Sequence, residues 1–328
     1  MTSLRKTPAP WQTRAVPGAR GLFRGVNGTD LLAPAALIIL IVISGIIEPA
    51  VFSVSGLNLV LSSAIPLTFA SLSQMFIIIV GDIDLGTGYF VGLVTAVAAV
   101  FLVDNPVAAV FMLIGLVVVY MLAGVLVEVR RIPAIIVTLG ASFIWLGMGL
   151  LLLPTPGGIV PDWLITLTTI QTPIIPYPIL VVGIIGLVAY LITVRLPYGA
   201  VLRGAGGSPE PVRRTGWSLV KMRMTAYFFA AVFGIGAGLW IAGMTSSGDP
   251  QGSANYTLLT IAAVILGGGR FSGGKAVPFG AVIGALAISV AGSMLALLGA
   301  PSNYQTGVQG LILLAILAGR VITDRSRS

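Results

Sequence analysis

The chain has 328 residues, of which 57% are hydrophobic and 9% charged, with a mean hydropathy of +1.05 and a formal net charge of +8. A soluble domain carries roughly a quarter charged residues, so the polar surface is too small to cover a water-facing core, and lipid must be the solvent for most of the chain. Cysteine and histidine do not occur, which excludes disulfides, thiolate metal or redox sites and the commonest proton shuttle.

Residues 1–30 are basic, polar and proline-rich. They lack the central apolar segment of a cleavable signal and are expected to form a flexible cytoplasmic tail. Apolar segments follow near 31–47, 57–80, 86–103, 107–127, 133–153, 177–194, 224–243, 255–267, 276–298 and 304–319. Segment 255–267 is short and needs help from its flanks. The expected fold is an all-α polytopic membrane protein with about ten transmembrane helices of roughly 20 residues each. Residues 31–320 form the transmembrane domain, 195–223 a long polar loop within it, and 321–328 a second tail. With both termini cytoplasmic, all 18 Lys and Arg fall on the inner side: in the tails, at Arg130 and Arg131, in the long loop, and at Arg270 and Lys275. The outer loops keep only Glu48, Asp104, Asp162 and Asp249. Shifting the count by one span scatters the basic residues across both sides. Membrane orientation accounts for the positive charge, and no nucleic-acid partner is expected.

The second span is broken by Pro66 and carries a polar set of Asn58, Ser62, Ser63, Thr68, Ser71 and Gln74. This set is a candidate translocation path able to hydrogen-bond a polyol, although such side chains in membrane helices commonly satisfy nearby backbone. Next comes GDIDLGTG at 81–88. Its Asp82 and Asp84 are the acids expected beside a span that are neither external nor in a tail. They suggest a proton or sodium site, or a structural role in which they accept backbone hydrogen bonds and cap the next span. Arg130 and Arg131 read as orientation signals, and Trp145, Trp163, Trp240 and Tyr177 as interfacial anchors.

In the long loop, Ser208-Pro209-Glu210 reads as a helix start: a capping hydroxyl, proline at the first position, and an acid in the first turn. Gly216 is placed to end that helix. A short surface helix of about two turns suits either a basic connector or a docking knob for a soluble partner. Gly88/Gly92, Gly234/Gly238 and Gly280/Gly284 have the spacing that lets helices approach closely, expected here to serve packing within one subunit. Gly269–Lys275 matches a phosphate-binding loop up to its lysine, but Ala276 stands where that loop needs Ser or Thr. It is expected to be a cytoplasmic turn, and no cofactor is expected.

Three segments carry a resemblance: GDIDLGTG at 81–88, GAVLRGAGGSPEPVRRTGW at 199–217 and ILGGGRFSGGKAVPFGAVIGALAI at 265–288. They resemble the GGIDLSVG-type signature, the GRxxxAxGGNxxAAxxSGI-type cytoplasmic segment and the GGxSLxGGxGxxxGxxxGA segment of permease subunits of bacterial ABC importers for monosaccharides, the ribose-type family. Gly81, Asp82, Asp84, Gly86 and Gly88 fall in the first signature, where Asp82 replaces its second glycine; Ser208 replaces the usual Asn of the second, with prolines at 209 and 211. The resemblance implies an inner-membrane subunit, not itself an enzyme, that pairs with an identical or paralogous permease. Its further implied partners are a periplasmic sugar-binding protein and a cytoplasmic ATPase dimer. The ATPase-coupling residues would be Ser208, Pro209, Glu210, Val212, Arg213, Arg214, Thr215 and Gly216. An ion-driven secondary carrier using Asp82 and Asp84, and a same-family importer of a nucleoside or other small polar solute, are the alternatives.

Overall fold

The computed structural model describes residues 32–301 together with Gly307, Gly310 and Leu311. Its helices are α1 (Leu32–Ile47), α2 (Val54–Ser62), α3 (Ala64–Ile79), α4 (Thr87–Phe101), α5 (Pro106–Arg130), α6 (Ala134–Leu152), α7 (Asp162–Thr169), α8 (Tyr177–Tyr190), α9 (Pro197–Gly207), α10 (Pro209–Arg214), α11 (Leu219–Thr245), α12 (Tyr256–Leu266) and α13 (Pro278–Leu297). Local chemistry sets many of the boundaries. Proline occupies the first position of α5, α9, α10 and α13, where its missing N–H costs nothing. Asn105 caps α5 by accepting from Ala108 N at 3.1 Å. Arg131 and Ser246 end α5 and α11 in the left-handed region, at φ 53 and 51°.

Among the described residues, five helices are long and apolar enough to cross a membrane: α5, α6, α8 with the π-turn that extends it to Arg195, α11 and α13. The α2–α3 pair, bent by 42° at Ser63, makes a sixth if it counts as one span. The bend lies where the sequence placed a break, because Pro66 has no N–H to offer the carbonyl of Ser62. Helices α1, α4 and α12 are apolar but run only 16, 15 and 11 residues. The expected tenth span at 304–319 lies outside the described residues, apart from the helical Gly307, Gly310 and Leu311. So do the expected tails at 1–30 and 321–328.

Helix α11 is the axis, packed against α3, α4, α5 and α7. Aromatic rings fill its contact with α3, where Phe76 lies 5.0 Å from Phe229 and 5.4 Å from Phe233. Around this core, α5, α6 and α8 turn large apolar side chains outward, among them Phe111, Phe143 and Ile184. This is the surface that a bilayer solvates. Two tryptophans expected as interfacial anchors are instead core residues. Trp145 stacks on Tyr120 with ring planes 4° apart, and Trp240 packs on Phe69 and Tyr177. A tryptophan near a span end serves either role, and packing decides which. Trp163 is exposed.

The loops gather into two groups. The segments after α3 and α12 meet the end of α9, and Arg131 and Pro133 after α5 line a cavity with Asp82, whereas the segments after α6 and α11 meet each other beside the end of α4. In the second group Gly157 and Gly248 exchange backbone hydrogen bonds of 3.0 and 2.8 Å, and Ile159 N donates to Ala99 O at 2.9 Å.

Helix–helix attraction in lipid comes from close packing rather than from a hydrophobic driving force. The glycine pairs act accordingly, and within one chain. Gly234 and Gly238 receive Phe90 and Val94 of α4, and Gly280 lies directly against Gly267 at the α12–α13 crossing. A Cβ on Gly280 would overlap the Gly267 carbonyl, whereas one on Gly147 of α6 would meet nothing within 4 Å. Gly280→Ala should therefore cost about 1–3 kcal/mol, and Gly147→Ala less than about 0.5 kcal/mol. Thermal unfolding of the two detergent-solubilised variants checks this, and equal melting temperatures would contradict it.

Candidate functional site

The three motif segments converge at one end of the bundle. Gly274 N donates to Ile79 O at 2.8 Å, and a Cβ on Gly273 would come within 2.8 Å of Gly81 N and 3.0 Å of Gly206 O. Gly81, Gly273 and Gly274 all have φ between 73 and 82°, which glycine adopts without strain. The loop that imitates a phosphate cradle is thus filled by backbone from the other two segments.

Beside this junction lies an ion cluster. Arg223, in the first turns of α11, places Nε 2.9 Å from Asp82 Oδ2 and donates from Nη2 to Asp82 Oδ1 at 3.2 Å. Its Nη1 donates to Glu128 Oε2 on α5. Tyr227 Oη, one turn further along α11, donates to Asp82 Oδ2 at 3.3 Å. Asp82 is 7% exposed, Arg223 20% and Glu128 24%. One guanidinium therefore holds two carboxylates from different elements in a partly desolvated place, where losing one partner is costly. Burial pushes the Asp82 carboxyl up from 3.8 to about 6, against the lowering pull of Arg223.

The sequence did not anticipate Glu128 or the pairing role of Arg223. Glu128 sits two residues before Arg130 and reads as part of a charged helix end; being the sole acid of α5 was the available signal. Of the two aspartates, Asp84 accepts a backbone hydrogen bond as expected, but α4 begins at Gly86 without a side-chain cap bond. Asp84 Oδ1 accepts from Gly86 N at 2.6 Å and its Oδ2 from Thr87 Oγ1 at 2.7 Å, with Tyr120 Oη as a further donor. Gln74 backs this turn: oriented with its nitrogen toward Asp84 O and its oxygen toward Asp84 N, both at 3.2 Å, its amide is satisfied. Gly88 abuts Ser253 and Ala254.

The expected docking helix is present as α10, shorter than two turns. Its end follows the expected design. Gly216 has φ 85°, Gly216 N donates to Arg213 O at 3.0 Å and Trp217 N to Val212 O at 3.4 Å, the paired bonds of a Schellman motif. Its start does not, because Ser208 occupies the cap position without a side-chain cap bond. A serine cap bonds the second or third N–H of a helix, and Pro211 has removed the third. Glu210 pairs with Arg213 at 2.9 Å and Arg214 at 3.1 Å. These side chains are 50–77% exposed, so the pairs add little stability and the charges remain available to a partner. Thr215 Oγ1 bonds Val212 O at 2.8 Å.

The helix is anchored from beneath. Val212 packs over Gly204 of α9, Tyr198 meets Trp217 edge-on at 5.7 Å, and Tyr198 Oη lies 3.0 Å from Thr225 Oγ1 on α11. Pro209 closes a cavity of about 300 Å³ that Glu128, Met222 and Arg223 also line.

The polar set of α2 and α3 divides. Asn58 Oδ1 accepts from Tyr177 N at 2.9 Å, and Ser62 Oγ bonds Leu59 O at 2.9 Å. Ser63 Oγ lies 2.7 Å from Ser289 Oγ and 3.3 Å from Ser293 Oγ, both on α13. Thr68 Oγ1 and Ser71 Oγ are buried without a hydrogen-bond partner, a state that costs about 1–3 kcal/mol for each group.

Comparison with known proteins gives this geometry a setting. A profile described as branched-chain amino acid transport system / permease component matches residues 56–317. The ribose import permease protein RbsC of Haemophilus influenzae is 30% identical, covering 86% of this chain and 90% of the relative. The probable ABC transporter permease protein YphD of Escherichia coli K12 is 29% identical, over 99% of this chain and 98% of the relative. The autoinducer 2 import system permease protein LsrC of Escherichia coli O9:H4 is 28% identical, over 89% of this chain and 86% of the relative. No solved structure gives a significant match.

The raised Asp82 value predicts a pH signature. The folded protein holds this proton more tightly than the unfolded chain, so its contribution to stability is present below about pH 4 and lost as the pH rises to about 6. The wild type should therefore lose up to about 3 kcal/mol relative to Asp82→Asn across that window. Melting curves of both proteins between pH 4 and 7 measure it, and a pH-independent difference would contradict it.

Proposed function

This chain belongs to the branched-chain amino acid transport system / permease component family, and from that premise we propose that it is the permease subunit of an importer whose cargo is a monosaccharide. It is a multi-pass membrane transport subunit of the ABC type and not itself an enzyme. The observation that carries the sugar is the 30% identity to a ribose import permease along 86% of the chain. The relative that imports autoinducer 2 keeps another small polar solute within range.

The coupling surface is α10, with Ser208, Pro209, Glu210, Val212, Arg213, Arg214, Thr215 and Gly216 facing a cytoplasmic ATPase dimer. Closure of that dimer on ATP pushes α10, and α9, α10 and the start of α11 move as one body because Val212, Trp217 and Tyr198 tie them together. Arg223 passes the displacement to α5 through Glu128 and to the α3–α4 turn through Asp82. The transmembrane domain spans residues 31–320 with ten crossings and both termini in the cytoplasm. The separation of the loops into two groups supports this topology, as does the distribution of all 18 Lys and Arg. A second permease subunit completes the pathway, which runs along Asn58, Ser62, Ser63, Thr68, Ser71 and Gln74. The unpartnered Thr68 and Ser71 hydroxyls are its members most in need of a polar visitor. A periplasmic sugar-binding protein docks at the other end, where the acids Glu48, Asp104, Asp162 and Asp249 favour a basic partner face.

The test uses the reconstituted complex with its ATPase and binding protein. Replacing Glu210, Arg213 and Arg214 together by alanine should lower sugar-stimulated ATP hydrolysis about tenfold or more, a loss of at least about 1.4 kcal/mol of transition-state stabilisation, while the subunit still inserts. Stimulated hydrolysis at the wild-type rate would remove α10 from the mechanism.

A further inference from the structure

A cleft of about 290 Å³ opens between α3, α12 and α13, lined by Ser63, Asn255, Tyr256, Ser289 and Ser293 among others. Its wall differs from the surfaces that α5, α6 and α8 offer to lipid. On α13 the lining positions are Ile288, Ser289, Gly292, Ser293 and Ala296, and the last four form a stripe of small residues at helical spacing. Ser63, Ser289 and Ser293 hold one another at 2.7 and 3.3 Å, and Ser293 also donates to Val60 O at 2.9 Å. Each serine hydroxyl has a further lone pair or a rotatable proton for a visitor. Facing them, the Asn255 carboxamide and the Tyr256 hydroxyl make no hydrogen bond among the described residues, so both can donate to and accept from a visitor.

The lining contains no charged side chain. A zwitterionic amino acid or an anion entering this space would lose its hydration without an opposite charge to replace it. A neutral polyol loses only hydroxyl hydration, which hydroxyls and an amide replace group for group. The apolar side of the cleft, with Leu67 and Leu259, suits the C–H face of a sugar ring beside the Tyr256 ring. The volume falls just under the span of about 300–1,000 Å³ that holds drug-sized ligands, which fits one ring rather than an oligosaccharide. One turn beyond Leu67 on the same face of α3 lies Ser71, whose buried hydroxyl is unpartnered, so the polar lining has a continuation into the bundle.

We propose that this cleft is a transit site for a neutral, ring-sized polyol, with Ser63, Ser289, Ser293, Asn255 and Tyr256 as its hydrogen-bonding groups. The assignment rests on the sugar reading above and adds where within the subunit the sugar is held and why a charged solute is refused there.

The native chain has no cysteine, so Ser293→Cys introduces a single thiol. In the reconstituted complex this thiol should react with methyl methanethiosulfonate, and the modification should slow ribose uptake about tenfold. Excess ribose during turnover should slow the reaction severalfold, and excess leucine should not. Ala296→Cys, at an exposed lining position, gives the same readouts should Ser293→Cys fail to insert. An unreactive thiol at both positions, modification without effect on uptake, or protection by leucine overturns the site. ATP-driven ribose uptake by the unmodified complex separates the two claims: its loss sinks the sugar reading itself, whereas its presence beside an unreactive thiol sinks only the cleft.

Discussion

Arg223 is the contact that ties three elements of the bundle end together. Its guanidinium forks onto Asp82 and reaches Glu128, so one side chain joins the α3–α4 turn, the end of α5 and the start of α11. A point charge on a flexible stem would not do this, because a rigid planar fork with five N–H donors is what allows two carboxylates to be held at once. The cluster is costly to assemble, as the raised Asp82 carboxyl records, and such an arrangement is more readily explained by a need for fixed geometry than by stability. In the resembling family a glycine stands at the position of Asp82, so here a side-chain tie is added where that pattern has none.

Around that tie, rigidity comes from backbone. The turn at Gly81, the end of α9 at Gly206 and the loop at Gly273 and Gly274 touch without side chains between them. A contact of this kind has little freedom to deform, which in the proposed coupling would carry a push on α10 to α3 and α13. The same close approach recurs at Gly267 and Gly280 between α12 and α13. Lipid offers no hydrophobic drive for helix association, and intimate packing takes its place.

What was legible in the sequence was whatever local chemistry decides. The apolar segments, the break before Pro66, the proline starts and the Gly216 end of α10 follow from residues within one or two turns of each other. The Ser208 cap was misread within that same range, because Pro211 deletes a donor that the serine-first pattern takes for granted. The aromatic anchors failed for another reason: Trp145 and Trp240 have the composition of interface residues and the neighbours of core residues, and only tertiary packing distinguishes the two. Least legible was the ion cluster. Asp82 and Arg223 are 141 residues apart and Glu128 and Arg223 are 95 apart, and nothing in a pattern of charges identifies a pair across such distances. Arg223 was read as an inner-side charge, and its structural role was invisible. The convergence of the three motif segments into one junction likewise needed the fold.

These features together describe a gate without an engine. Asp84 is committed to its own turn and Asp82 to Arg223, so both carboxylates of the α3–α4 turn have partners within the chain. In the proposed reading, movement enters from outside, through the anchored surface helix. The most direct test is solute uptake into proteoliposomes that contain this chain alone or together with its ATPase and binding protein. The account predicts ribose uptake only in the complete assembly and only with ATP. Uptake by the chain alone on an imposed proton or sodium gradient would contradict it.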